Sequence, residues 1–519
     1  MRAQPSRRAY ATAVFLILLI CYGYFMPKWA DWAANSRADL VYAVVDQGVL
    51  NIDAYHENTG DKACYPGPYD AATDTCQGHY YTDKSIGPSL VALPFYAAFK
   101  LIATLPPVQN LIENGGSLGR FGDTLNPEGE GFRPQAMYEG MALTFMTFFA
   151  VSVPSALLGV ILFLFAARFA RKDSYAFALA LIYGLSTPAF AYSNVLFQHQ
   201  LAAFGAFAGF YLLWRVIYEQ ANLCWLWLVG VLFGLVAITE YPVVPFVGLI
   251  FLWAAYKMPN RLALYRVVLG AIPLGLLFAA YNLAIFHTPL PVGYEYSTNW
   301  QEVHDQGFLS ITAPNLQTFL GLTIGPFRGL FFISPVLLLS VPGLILMWRA
   351  RPDYRGMTAL LALVIGGFLL YNSSSVMWWG GHAVGPRYLV PMLPFLALPI
   401  IFALNWLLPQ PASRFVVTFL VALSLFNVWA QTIAGQYFPP YDINGVPISN
   451  TLVEYSLPLL AQGNVARNYG IIFLGLPGLA SLIPLLAAVV LVYLLIPRLV
   501  DGRIPSAIPR IVRVARENN

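Results

Sequence analysis

Long apolar stretches recur along almost the whole chain, and each is long enough to cross a lipid bilayer. A membrane-spanning helix needs about 20 mostly apolar residues. The candidate segments lie at 10–27, 137–167, 173–193, 200–218, 223–239, 242–256, 263–286, 329–348, 357–371, 388–408, 414–431 and 471–497. They predict an all-α polytopic membrane protein with about twelve transmembrane helices.

Composition excludes several other classes of protein. Of 519 residues, 58% are hydrophobic and only 10% are charged, whereas soluble domains average about 25% charged residues. A water-soluble enzyme is therefore excluded, and the lipid bilayer is the expected surrounding. The net charge of +4, without a basic patch interleaved with aromatic residues, predicts no nucleic-acid partner.

Basic residues at the segment ends orient the chain, because Lys and Arg collect on the cytoplasmic side. Arg7 and Arg8 precede the first segment, and Arg168 and Arg171 follow the second. An even number of crossings must separate these points, so the apolar stretch 86–105 should not cross. It should lie in the outer interface or dip in and return. Both termini are then cytoplasmic, and the first segment is an uncleaved anchor.

This topology divides the chain into alternating membrane and loop regions. They are 1–28 (cytoplasmic N-terminus and first span), 29–136 (outer acidic loop with juxtamembrane helices), 137–286 (helices 2–7), 287–328 (outer loop), 329–431 (helices 8–11), 432–470 (outer loop) and 471–519 (last span and basic cytoplasmic tail). Acids dominate the first outer loop, and all six histidines fall outside or at outer span ends. We expect the active face to be extracytoplasmic, in the inner or plasma membrane. The alternative is that acids simply avoid the cytoplasmic side.

The segment 35–47 has the pattern of an amphipathic helix at the membrane interface, which Gly48 should end. Its polar face repeats at helical spacing through Asn35, Asp39, Tyr42 and Asp46. Asp53 follows in an extended stretch. This face is either a row of carboxylates in a lumen above the membrane or an ordinary solvated surface.

Two of the four cysteines, Cys64 and Cys76, lie in the first outer loop with eleven residues between them. An oxidising compartment favours a disulfide there. Two free thiols in a reducing space are the alternative. A zinc pair is disfavoured because no matching CxxC spacing exists.

Polar residues also stand at the outer ends of several spans. They are His199, Glu240, Tyr241, Arg328 and Arg387. Ionisable groups at membrane depth usually face a cavity or a partner. Each arginine could instead snorkel to the interface, and Glu240 could be the structural partner of either arginine.

Two groups of short motifs carry a family resemblance. The first comprises Asn-Ser-Arg-x-Asp (35–39), Asp-Gln-Gly (46–48), Ile-Asp (52–53), Asp-Lys (61–62) and Gly-His-Tyr-Tyr-Thr-Asp-Lys (78–84). The second comprises Gly-Pro-Phe-Arg-Gly-Leu-Phe-Phe-Ile-Ser-Pro (325–335), Trp-Trp-Gly-Gly and Gly-Pro-Arg-Tyr-Leu. Over about residues 10–400 the chain resembles the type C, multi-membrane-pass glycosyltransferases, particularly the bacterial branch similar to protein mannosyltransferases and lipid A aminoarabinose transferases.

The resemblance implies an inverting enzyme that transfers a sugar from a polyprenyl-phosphate donor to a lipid, glycan or protein acceptor. It implies a catalytic carboxylate in the first outer loop. Asn35-Ser36 stands near the family's early Asp-Glu pair, and Asn cannot act as a base, so Asp39, Asp46 and Asp53 remain the candidates. Lys84 occupies the place of a lysine that contacts the carrier phosphate.

The chemistry itself requires cations to stabilise the departing phosphate. Lys84, Arg37, Arg328 and Arg387 are the candidates, although Lys84 could instead form a salt bridge to Asp83 or Asp61. No cofactor is certain, and a divalent cation could bind through Asp and His. Two other functions remain open, a lipid or solute transporter (a flippase, for example) and a non-catalytic polyprenyl-glycan binding protein.

Overall fold

The computed structural model describes residues 5–29, 31–115, 137–290, 292–301, 306–307 and 310–501. Residues 1–4, the 116–136 part of the first outer loop, His304 and the basic tail 502–519 lie outside the described residues.

Helices form most of the described chain, which confirms the all-α class. The α-helices up to residue 286 are α1 (Arg7–Gly23), α2 (Trp32–Tyr42), α3 (Gly87–Ala103), α4 (Pro106–Gly115), α5 (Met137–Thr147), α6 (Val153–Ala166), α7 (Asp173–Leu185), α8 (Ala189–Tyr192), α9 (Gln198–Tyr218), α10 (Trp225–Thr239), α11 (Val244–Lys257) and α12 (Tyr265–Phe286). The later ones are α13 (Leu316–Thr323), α14 (Leu330–Ile333), α15 (Ser340–Ala350), α16 (Arg355–Ser373), α17 (Leu393–Ala397), α18 (Ile400–Leu407), α19 (Pro411–Ile433), α20 (Leu457–Ala461), α21 (Tyr469–Leu474) and α22 (Ile483–Val500).

Helix occupies each of the twelve predicted segments, but several segments are broken. Among the described residues, six helices are long and apolar enough to cross a membrane, or up to eight if each of two bent pairs is one span. Five shorter apolar helices accompany them. Helix α12 exposes apolar side chains along its length, among them Leu269, Ile272 and Leu276, as expected of a helix that faces lipid. The chain is therefore a membrane-embedded protein.

Helix α2 forms where the sequence predicts a helix over 35–47. Asp31 caps its first turn by accepting a hydrogen bond from the amide of Ala34 (3.1 Å). The helix continues as a π-helical turn, Ala43–Gln47, and ends at Gly48, whose positive φ of 71° suits glycine. Its predicted polar face is largely buried rather than solvated, because Asn35 and Asp39 are fully enclosed.

The stretch 86–105 forms α3, which turns by 95° into α4. Helix α3 packs against α2 and α5. Such a bend occurs both in a broken span and in a re-entrant segment.

Short antiparallel strands fold the rest of the first loop. They are β1 (Lys62–Tyr65), β2 (Tyr69–Asp70), β3 (Thr75–Cys76) and β4 (His79–Thr82), followed much later by β5 (Asp442–Ile443) and β6 (Val446–Pro447). Strand β1 pairs with β4, β2 with β3, and β5 with β6. The predicted disulfide is present and joins Cys64 to Cys76 across this loop.

The first loop is fastened to one end of the helical body. Ala63 of β1 bridges to Ser297, beyond the end of α12. Arg37 of α2 donates to the side chain of Gln198, the first residue of α9. This end of the molecule therefore collects residues that are far apart in sequence.

Candidate functional site

A buried charge cluster lies where α2, the first loop and the 293–300 segment meet. We define this buried charge cluster by Arg37, Asp61 and Asp83, which are buried, and Asp31, Lys84 and Arg387, which are half-buried. At its centre the ammonium of Lys84 lies 3.1 Å from a carboxylate oxygen of both Asp61 and Asp83. The ion pair that the sequence left as an alternative for Lys84 is thus present, with both acids.

The two carboxylates are held from the opposite side by the segment after α12. The indole nitrogen of Trp300 donates to Asp61 (2.8 Å), and the hydroxyl of Ser297 donates to Asp83 (2.9 Å). The ring of Tyr294 stands 5.6 Å from the ammonium of Lys84. Lys84 is therefore fixed in position rather than free to move.

These contacts set the protonation states in the cluster. Burial alone would lower the pKa of Lys84, but the charges of Asp61 and Asp83 raise it overall. Burial raises the pKa of Asp83 despite Lys84, and the charge of Asp61 adds to that rise. Burial alone would raise the pKa of Asp61. The charge of Lys84 and the hydrogen bond from Trp300 outweigh burial and lower this pKa below its ordinary value. Lys84 is accordingly a permanent cation.

Two predicted arginines meet at one aromatic ring. The guanidinium carbon of Arg37 lies 5.8 Å, and that of Arg387 5.5 Å, from the ring centre of Phe197. Arg37 is 1% exposed and donates to the carbonyl of Ala33 and the side chain of Gln198. The fold thus brings together cations from α2 and from the segment before α17.

Arg387 keeps hydrogen-bond donors that no described residue accepts. Its one recorded hydrogen bond goes to the hydroxyl of Tyr388 (3.2 Å), and its Nε is buried without an acceptor. The Nε of Arg37 is likewise buried without one among the described residues. Buried donors without partners are costly, so this geometry favours a ligand that supplies acceptor oxygens.

Asp31 is a carboxylate that the sequence analysis did not select. Burial raises its pKa to about 6, against the opposing charge of Arg387. One of its oxygens caps α2. A carboxyl with a pKa near the working pH is suited to general base catalysis, and both arginines act on it electrostatically.

An apolar groove of about 300 Å³ lies beside the cluster, between α2, α3 and α12. Its lining residues are Leu40, Val41, Val44, Leu50, Ile86, Ser89, Leu90, Leu93, Leu277, Ala280 and Tyr281. Ser89 links the two features, because it lines the groove and donates to the carbonyl of Arg37 (2.9 Å). The groove can accept an alkyl or isoprenoid chain whose head group reaches the cluster.

The three predicted catalytic acids contact other groups. Asp46 binds the hydroxyl of Tyr96 and the ammonium of Lys100, each at 2.6 Å. Asp53 binds His79 (2.6 Å) and the amide of Tyr80 (2.7 Å).

Asp39 is fully buried and accepts a hydrogen bond from Asn58 (3.1 Å). Burial holds its pKa well above the ordinary value. The side chain of Asn35 donates to the carbonyls of Trp29 and Asn58. Asn35 and Asp39 therefore fasten α2 to the 56–58 turn.

A second cavity, of about 390 Å³, is polar and lined by 53–58 and Glu139. Within the described ranges, no group of three or more His, Cys, Asp or Glu side chains is arranged to hold a metal ion.

The remaining predicted residues have partners that the sequence did not indicate. Glu240 contacts His199 (2.8 Å), so the expectation that it pairs with an arginine is wrong. Arg328 is fully buried and donates to four carbonyls, and snorkelling does not describe it. Tyr241 packs on Phe278, with ring centres 5.6 Å apart.

Sequence reasoning missed Asp31, Asp61 and Asp83 as members of the site. A signal for two of them was present, since Asp-Lys occurs twice in the first loop, at 61–62 and 83–84. Asp31 caps the observed helix, which begins three residues before the predicted one. Gln198 stands beside His199 among the polar residues at an outer span end, whereas Trp300 carries no local signal.

No known protein-family model matches this chain, and no curated protein matches it in sequence.

Proposed function

We propose that this protein is a membrane glycosyltransferase that moves a sugar from a polyprenyl-phosphate donor to an extracytoplasmic acceptor. One juxtaposition supports this function above all. The buried charge cluster holds arginine donors without protein acceptors, and the apolar groove opens beside it. An amphiphile with a phosphate head and an isoprenoid tail matches both surfaces.

In the proposed reaction, Asp31 accepts the proton of an acceptor hydroxyl. The hydroxyl oxygen forms a bond to the anomeric carbon of the sugar, and the bond from that carbon to the phosphate oxygen breaks. The electron pair leaves on the phosphate, which Arg387 and Arg37 stabilise. The product is a glycosylated acceptor and a polyprenyl phosphate.

We assign the base to Asp31 because Lys84 pairs with the other two acids of the cluster, whereas Asp31, which caps α2, forms no salt bridge with a lysine among the described residues. Asp39, Asp46 and Asp53 are engaged with Asn58, Lys100 and His79. We assign Lys84 an indirect part, because Asp61 and Asp83 already neutralise it. It positions these two acids and offsets their negative charge near the phosphate.

We further propose that the chain crosses the inner or plasma membrane twelve times, with both termini in the cytoplasm. In this arrangement α3 enters the outer leaflet and returns, and the first loop and the charge cluster face outward. Two contacts support this arrangement, since the start of α9 bonds to Arg37 and the segment after α12 bonds to Asp61 and Asp83.

The test is purified protein incubated with a panel of polyprenyl-phosphate sugars and a cell-envelope extract as the source of acceptor, with release of polyprenyl phosphate as the readout. Arg387→Ala should weaken donor binding by about 10- to 100-fold, because hydrogen bonds to a charged group are lost. Asp31→Asn should bind the donor normally but lower turnover by about 100-fold or more. Arg171→Ala, an exposed arginine elsewhere, is the matched control.

Donor binding without release of the lipid phosphate would contradict the proposal. Movement of the intact donor across a vesicle membrane would then favour a transporter. Binding with neither release nor movement would favour a glycan-binding protein.

A further inference from the structure

Three aromatic rings converge on the surface next to the buried charge cluster. We call His382, Tyr437 and Tyr441 the ring cluster. The ring centre of His382 lies 6.5 Å from that of Tyr437 and 6.4 Å from that of Tyr441. All three side chains are exposed, Tyr437 to 37% and Tyr441 to 45%.

A buried guanidinium fixes the two segments that carry these rings. Arg328 donates to the carbonyls of Gly381 (2.8 Å) and Ala383, on either side of His382. It also donates to the carbonyls of Pro439 (2.9 Å) and Pro440 (3.2 Å), between the two tyrosines. The rings are therefore held in place by the core rather than carried on free loops.

The turn that presents His382 lies directly on Arg387. Gly380 has a positive φ of 71°, and a Cβ built on it would stand 2.9 Å from Cγ of Arg387. The side chain of Arg387 thus passes against this turn, and a molecule lying on the rings would be a neighbour of its guanidinium. Any side chain larger than glycine at 380 would disturb this contact.

Exposed rings in this arrangement suit a sugar. A pyranose has an apolar face of C–H groups and a rim of hydroxyls, and the negative face of an aromatic ring attracts such C–H groups. Aromatic walls with a few polar groups are typical of small-molecule sites. Rings that serve only to anchor a protein in the membrane interface need no such convergence from two loops.

We propose that the ring cluster is the acceptor subsite and binds a saccharide. This inference rests on the proposed function, and it makes the acceptor a glycan or a sugar-bearing lipid rather than a protein side chain. Arg387 would then lie beside the donor phosphate, and the transferred sugar would stand between that phosphate and the acceptor hydroxyl, which is the order that inverting transfer requires.

The test is saturation-transfer NMR with methyl glycosides of glucose, galactose, mannose and N-acetylglucosamine, which represent a free glycan. Dodecyl glycosides of the same sugars in nanodiscs represent a lipid-anchored head group. At least one probe should bind wild-type protein, and the set that binds identifies the source. The double variant Tyr437→Ala/Tyr441→Ala should weaken that binding by about tenfold, since two ring contacts are lost.

The Tyr437→Phe/Tyr441→Phe variant keeps the rings and should keep most of the binding. Trp406→Ala removes an exposed aromatic residue elsewhere (53% exposed) and should change nothing. Failure of every glycoside to bind wild type, or equal binding by the double alanine variant, would overturn the inference. Binding of a polyprenyl-phosphate sugar and release of lipid phosphate, measured on the same samples, show separately whether the proposed function stands.

Discussion

Arg328 and Arg387 differ in how many of their hydrogen-bond donors have acceptors within the protein. Arg328 donates to four carbonyls, whereas the recorded hydrogen bond of Arg387 goes only to Tyr388. Arg328 therefore holds two segments of the fold together, although its Nε, like that of Arg387, is buried without an acceptor among the described residues. Arg387 has fewer acceptors in the protein, which leaves more of its donors for a ligand.

This difference predicts opposite effects of the same substitution. Arg328→Met should destabilise the fold by about 3 kcal/mol, because buried carbonyls lose a charged partner. Arg387→Met should change stability little and impair donor binding instead. Thermal unfolding of the detergent-solubilised variants measures the first effect, and equal midpoints for the two variants would contradict the distinction.

The titration of Asp31 predicts a pH dependence of transfer. Burial raises its pKa from the ordinary 3.8 to about 6, and a general base must be deprotonated to act. The rate of lipid-phosphate release should therefore rise with pH to a plateau above about pH 6. An acid limb with a midpoint near pH 4, as for an ordinary carboxylate, would argue against Asp31.

The raised pKa of Asp31 also makes the stability of the folded protein fall with rising pH, whereas the transfer rate should rise. The folded protein holds this proton more tightly than the unfolded chain between pH 3.8 and about 6, so the contribution of Asp31 to stability falls as pH rises through that window. In Asp31→Asn this part of the dependence should disappear, while the helix cap is retained because Asn also caps well. Unfolding midpoints measured from pH 4 to 7 compare the two proteins.

Among the elements, the strands of the first loop depend on the Cys64–Cys76 disulfide. Closing a loop this short stabilises by about 3 kcal/mol in the chain-entropy model. Cys64→Ser/Cys76→Ser should speed hydrogen exchange in β1 and β4 while the exchange of α9 stays unchanged. Alkylation without reductant followed by intact-mass measurement should find both native thiols blocked, and labelling of either one would refute the disulfide in the isolated protein.

The bent pair α3–α4 decides the topology of everything after it. In a background without Cys21 and Cys224, Asp70→Cys and Asn126→Cys should both react with an impermeant thiol reagent added from outside. This result is expected if α3 returns to the side from which it entered. Labelling at only one position would mean that α3–α4 crosses, and every later loop would change sides.

Element positions followed from the sequence where apolar length alone determines them, as in α9 and α12. The sequence did not predict where the helices are broken, because these breaks depend on packing between segments. Segment 329–348, for example, is interrupted at Ser334, between α14 and a short 3-10 helix. The strands β1 and β4 escaped detection because they are only four residues long and gain their stability from pairing.

At the scale of the whole molecule, the proposed function places the donor tail in the apolar groove between α2, α3 and α12. Ala280→Trp would place a large side chain in the groove. It should raise the KM for a long-chain polyprenyl donor more than for a short-chain one. Leu276→Trp, on the same helix but 65% exposed, is the matched control, and equal effects of the two variants would exclude the groove as the tail site.

The sequence predicts a site residue only where a local motif or its position in the chain indicates it. Arg387 was selected because it stands at an outer span end, Lys84 through the family resemblance, and Arg37 as a cation of the first outer loop. The meeting of Arg37 and Arg387 on Phe197, and of Trp300 with Asp61, joins segments hundreds of residues apart. These contacts form only in the folded chain, and the spacing of residues in the sequence does not predict them.

The position of Lys84 between Asp61 and Asp83 affects the net charge of the whole cluster. The charge cluster then carries three formal positive and three formal negative charges, so it is neutral before a donor arrives. A phosphodiester donor brings one negative charge. In the proposed transfer Asp31 would gain a proton while the phosphate would gain a negative charge, so the total charge at the site would not change. The proposed reaction would move charge within the cluster without adding any, which suits a largely buried site.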